Sequence, residues 1–121
     1  MQAGRKLLIA YAAGFLADIR SCMVKDIQIE QRETAPELGY PQFHVQISNN
    51  CMAGCTAHKI HVSCGDFHSY TGLNPATFRK LAYDNCLVLN GGPLETGKTV
   101  SFHYSSTFRY KLAAKLAVYF C

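Results

Sequence analysis

The residues of this chain with the most chemistry to offer are its six cysteines and five histidines. Cys51, Cys55, His58, His61 and Cys64 crowd into one short stretch, and thiolates with imidazoles at close spacing suit a tetrahedral zinc ion. A zinc knuckle, however, uses two-residue gaps between its cysteines. Here three residues separate Cys51 from Cys55, and no second close pair completes a site. The full set, Cys22, Cys51, Cys55, Cys64, Cys86 and Cys121, is even in number and spread along the chain. That pattern in a short chain favours a disulfide framework over a metal site. Three bridges, each contributing about 2–4 kcal/mol by restricting the unfolded chain, would brace a small core. The spacing leaves the pairing open. A bridge at Cys121 would pin an end that otherwise frays.

Two further patterns invite chemistry without supporting it. Gly92 to Thr99 matches the phosphate-loop pattern G-x-x-x-x-G-K-[ST]. That loop works only when a helix opens right after the Lys and Thr, so that its N-terminal amides cradle phosphate. Val100 to Tyr104 instead alternate as a strand, and the glycines and Pro93 suit a turn. His44, His58, His61, His68 and His103 mostly fall at outward positions of expected strands. No Gly-x-Ser-x-Gly elbow or His-Glu-x-x-His motif accompanies them. Asp66 and Asp84 read as turn residues, not as an acid–base pair. The expectation is a binding protein, not an enzyme, with no cofactor, no metal and no nucleotide.

The elements that would carry these residues are mostly strands. Ile27 and Ile29, then Phe43, Val45 and Ile47, then Ile60, Val62 and Cys64, then Val100, Phe102 and Tyr104 all alternate with polar neighbours. Period two places one face of each strand in a core. Pro36 to Pro41, Tyr70 to Gly72 and Asn90 to Pro93 supply turns. Asn74-Pro75 has the chemistry of a helix start, which predicts a short helix from Pro75 to about Tyr83 burying Phe78, Leu81 and Ala82. Tyr110 to Phe120 fits a helix or a strand equally. The chain length suits one domain, and the composition, 49% hydrophobic and 17% charged, is globular. The expected class is all-β: an antiparallel β-sandwich of six or seven short strands with one short helix, disulfide-stabilised.

Arg5 and Lys6 precede the apolar run Leu7 to Ala17, the outline of a secretory signal peptide and too short to span a bilayer. Residues 1–21 are therefore expected to be a signal, although Phe15 makes a poor cleavage site, and residues 22–121 a single cysteine-rich domain. A buried or amphipathic N-terminal helix is the alternative. The net charge of +4 lacks the dense basic stripe of a nucleic-acid binder.

The cysteine-bearing segments, taken in order, carry a family resemblance. Asp26 to Gln31 follows the first cysteine, Pro41 to Asn49 precedes Cys51, and Ile60 to Phe67 encloses Cys64. Asn74 to Leu81, Asp84 to Val88, Val100 to Tyr104 and a terminal cysteine complete the set. Together they resemble the plant tapetum determinant family of small secreted cysteine-rich proteins. The resemblance implies a signalling ligand in the apoplast that specifies cell fate in the anther through a leucine-rich-repeat receptor kinase ectodomain. It also favours a strand for the last segment. Arg79, Lys80, Arg109, Tyr110 and Lys111 form a basic, aromatic set that could contact such a receptor. The alternative is a cell-wall carbohydrate-binding module with Tyr70, Tyr83 and Tyr104 as stacking platforms.

Overall fold

The computed structural model describes residues 21–121. The expected signal segment, apart from Ser21, lies outside the described residues. Seven strands follow one another: β1 (Ile27–Glu37), β2 (Tyr40–Asn49), β3 (Thr56–Ser63), β4 (Phe78–Ala82), β5 (Asn85–Val88), β6 (Thr99–Ser105) and β7 (Ala113–Phe120). They form two antiparallel sheets, a three-stranded one in the order β1-β2-β6 and a four-stranded one in the order β4-β5-β3-β7.

Alternation fixes which face of each strand is buried. Ile29, Ile47 and Val100 lie in one cross-strand row of the three-stranded sheet, and Val45 with Phe102 and Phe43 with Tyr104 continue the same face. Ala57, Ile60, Val62, Phe78 and Val88 supply the opposing layer. The two layers meet through aromatic rings. Phe78 of β4 stacks on Phe102 of β6 at 4.4 Å between centroids, and Phe67 packs edge-on to both Phe78 and Tyr104. Closing a core of this kind removes apolar surface at roughly 25 cal/mol per Å².

The β1–β2 connection is tighter than the prolines suggested. β1 runs through Pro36, where the register slips between Thr34 and Glu37, and only Leu38 and Gly39 form the turn. Both have positive φ, 53° and 83°. That is the two-residue geometry whose twist matches antiparallel strands.

The expected helix is absent. Asn74 does act as a local cap, since its Oδ1 accepts the Ala76 N–H at 3.0 Å and its carbonyl accepts the Thr77 N–H. The turn stops there, because Phe78 to Ala82 pair with Asn85 to Val88 in a hairpin. Phe78 is buried as expected, whereas Leu81 and Ala82 are exposed. Cross-strand pairing beside Cys86 overrides a helical signal that only a few local residues carried. The last segment is a strand, β7, paired with β3.

Candidate functional site

All six cysteines are bridged: Cys22 to Cys51, Cys55 to Cys121 and Cys64 to Cys86. The zinc alternative fails on this pairing, because Cys51, Cys55 and Cys64 each belong to a different bridge. The sulfurs of Cys22, Cys55 and Cys121 do lie within 4.8 Å of one another, because two bridges meet side by side at one end of the sandwich. Beside them Asn49 is wholly buried and fully satisfied. Its Nδ2 donates to the carbonyls of Cys55 and Leu94, both at 2.9 Å, and its Oδ1 accepts the Cys51 N–H at 3.0 Å. A buried amide left unpaired is costly, so three bonds to backbone make Asn49 a rivet for the Cys51–Cys55 connection.

The opposite end is closed without a bridge between the sheets. Tyr104 donates its hydroxyl to Gln31 Oε1 at 2.6 Å and accepts the Tyr110 N–H at 3.0 Å. Gln31 Nε2 returns a bond to the Tyr110 carbonyl at 2.8 Å. The Tyr110 hydroxyl in turn accepts the His68 N–H at 3.2 Å, and its ring packs against Phe67. Burial pushes the Tyr104 phenol up, opposed by the Tyr110 N–H and by Arg109. Asp84 also stands at this end, accepting from Ser63 Oγ at 2.6 Å and from the Gly65 N–H at 2.9 Å. These bonds, the one from Ser63 first, hold its carboxyl below the usual 3.8.

The two outward faces of the sandwich differ in chemistry. On the three-stranded sheet, Glu30 pairs across to Gln46 and Ser101, and Arg32 to His44 and His103. His44 and His103 stack with centroids 4.5 Å apart. Partial burial, then His103 and Arg32, hold the His44 imidazole below its usual value. On the four-stranded sheet, one row runs from Arg79 through Leu87 and His61 to Leu116, and the next rows pair His58 with Val118 and Thr56 with Phe120. Leu116 is 46% exposed and Phe120 61%. His58 meets the Phe120 ring edge-on at 4.7 Å, and His61 Nδ1 bonds Asn85 Oδ1 at 2.8 Å. No carboxylate stands in these rows.

The five candidate contact residues separate. Arg79 belongs to the outward row just described, where its guanidinium donates to Asn90 Oδ1. Lys80 forms an ion pair with Asp66. Arg109 and Lys111 are exposed on the connection between β6 and β7. Tyr110, between them, turns inward and is part of the core, so its ring is not a surface group. Of the three candidate stacking platforms, Tyr104 is fully buried, Tyr70 already stacks on Tyr40 at 4.5 Å, and Tyr83 is exposed. Thr99, the last residue of the phosphate-loop look-alike, opens strand β6, so no helix N-terminus is available there. Sequence reasoning passed over Asn49 and Gln31. Both stand at inward parity, in line with Ile47 and Ile29, and a polar residue at a core position was the available signal.

Fold and bridges together define a small disulfide-braced β-sandwich with no free thiol. Residues 23–121 match the family model described as Tapetum determinant 1, C-terminal, and the chain belongs to that family. It is 43% identical over 95 residues to TPD1 protein homolog 1 of Arabidopsis thaliana, covering 78% of this chain and 53% of that protein. With TPD1 protein homolog 1A of rice, Oryza sativa subsp. japonica, the identity is 40% over 99 residues, covering 76% and 44%. An uncharacterized Arabidopsis protein is 28% identical over 110 residues, covering 88% of this chain and 80% of its own length. The chain thus spans about half the length of the named TPD1 homologues it matches. No solved structure matches it. Among the described residues, no helix is long and apolar enough to cross a membrane.

Proposed function

We propose that this chain is a secreted signalling ligand that docks on the ectodomain of a plant leucine-rich-repeat receptor kinase, in cell-fate specification of the anther and tapetum type. The observation that carries the reading is the family match across 23–121 in a domain whose six cysteines are all bridged. Such bridges form and persist in oxidising compartments, which fits the apoplast. The ligand acts by presenting a surface, not by catalysis, and of the exposed basic residues Arg79, Arg109 and Lys111 are its candidate contacts.

Protein purified from a secretory host tests this in two stages. Alkylation under denaturing, non-reducing conditions adds no label, and reduction then exposes six thiols. The same protein binds one member of an immobilised panel of leucine-rich-repeat receptor-kinase ectodomains, and Arg109→Glu with Lys111→Glu weakens that binding. Binding unchanged by this double reversal removes the β6–β7 connection from the contact. Binding to cell-wall polysaccharides with no ectodomain bound would replace the ligand reading with the carbohydrate-module one.

A further inference from the structure

We infer that the ligand docks through the outward face of its four-stranded sheet, onto an apolar receptor surface edged by carboxylates. This inference rests on the receptor-ligand reading and names the face and the partner chemistry. In a sandwich, residues that point away from the core are ordinarily polar, as Glu30, Arg32, Gln46, Ser48 and Ser101 are on the three-stranded sheet. The four-stranded sheet breaks that rule. Leu87, Leu116, Val118 and Phe120 occupy its outward positions, although the core on the other side already holds Ala57, Ile60, Val62 and Val88. None of the four belongs to the core; Leu87 and Val118 are half-buried and Leu116 and Phe120 exposed, so completing their burial awaits a partner.

Charge selects the partner. The ionisable groups paired with the apolar ones are Arg79, His58 and His61, and no carboxylate shares their rows. At the Ser63 end Asp84 is engaged by Ser63 and Gly65, and Asp66 by Lys80. At the other end of β3 a single acid, Glu95, follows Leu94, which bridges to Ala57. A complementary surface therefore pairs apolar side chains with Asp or Glu. A second copy of this chain does not offer one, since its other outward face is polar and sets Arg32 beside Glu30 along one strand. Two strands of eight residues and two of five and four, about 4.8 Å apart and rising about 3.3 Å per residue, present an area on the order of 400 Å². This is about half of the roughly 800 Å² that each partner contributes to a stable interface, so the loops that adjoin the face complete the contact.

The test uses three variants of the full secreted domain against the ectodomain that the wild type binds. Leu116→Gln with Phe120→Ser removes the apolar groups, and Arg79→Glu reverses the charge. Glu30→Lys with Gln46→Glu alters the opposite face as a control. Thiol counts and melting curves establish that each is folded. Should the apolar double variant fail to fold, Arg79→Glu decides alone. The expected result is affinity lowered about tenfold or more by each change on the four-stranded face, with the control within about twofold. Wild-type binding that survives both face changes within twofold overturns the assignment of the face and leaves the ligand reading standing. A wild type that binds no ectodomain overturns both. A wild-type dimer dissolved by the face variants also overturns the assignment and gives the face to a second copy.

Discussion

The two ends of this sandwich are closed by different means. At one end Cys22–Cys51 and Cys55–Cys121 lie side by side, with Asn49 riveting the connection between them. At the other, Gln31, Tyr104 and Tyr110 close a ring of hydrogen bonds around packed aromatics. The bridges do not substitute for that ring, because none joins one sheet to the other. Cys22 and Cys51 flank the three-stranded sheet, whereas Cys55, Cys121, Cys64 and Cys86 flank or belong to the four-stranded one. Covalent closure shortens the unfolded chain's freedom, while face-to-face cohesion is left to the core and to the tyrosine end. The difference teaches that bridge count and inter-sheet cohesion are separate quantities in this fold.

Removing a bridge is the largest perturbation. Cys55→Ser with Cys121→Ser opens the longest loop, with a sequence separation of 66, and should cost about 4 kcal/mol of unfolding free energy. Urea titration with linear extrapolation measures it, and a loss below about 1 kcal/mol would mean that this end is held by Asn49 and packing alone. Next comes Tyr104→Phe, which leaves Gln31 Oε1 and the Tyr110 N–H without their partner in a buried site. A loss of about 2 kcal/mol is expected. Adding Gln31→Leu should recover part of that loss, and strict additivity of the two changes would dissolve the idea of a closed ring.

A smaller effect lies in acid. The folded-state pKa of Asp84 sits below its unfolded value, so its contribution is fully present above the unfolded carboxyl pKa and is lost as pH falls through the lower folded one. Asp84→Asn keeps the acceptor oxygen and tolerates the positive φ of 61°. The stability gap between wild type and variant should therefore shrink as pH falls from 6 to 2, and a constant gap would exclude Asp84 from the acid response. Smallest of all, Leu38 is 80% exposed at φ 53°, a conformation that asparagine adopts more readily. Leu38→Asn should raise stability by about 0.5 kcal/mol, visible as a small rise in Tm.

Much of this architecture was legible because period two survives in almost every strand. The inward rows of β1, β2, β3 and β6 coincide with the apolar alternation of Ile27, Phe43, Ile60 and Val100. What failed had weak local signals and strong distant partners. Phe78, Leu81 and Ala82 share a helical spacing, yet Phe78 is set opposite Val88 by the hairpin. Tyr110 stands between Arg109 and Lys111 in a connection without periodicity, so nothing nearby announces that its ring turns inward. Cysteine pairing requires knowing which strand ends meet. The candidate site was legible only in pieces. Arg79 was singled out for its charge, but its row with Leu87, His61 and Leu116 exists only once β4, β5, β3 and β7 lie in that order.

The adjacency of the two bridges has a mechanical consequence. A force applied at Cys22 and Cys121 passes through the first bridge to Cys51, along three residues to Cys55, and through the second bridge to Cys121. That path bypasses every strand. The sandwich hangs from it as two unloaded loops, so tension between these two cysteines cannot peel a sheet apart until a covalent bond breaks.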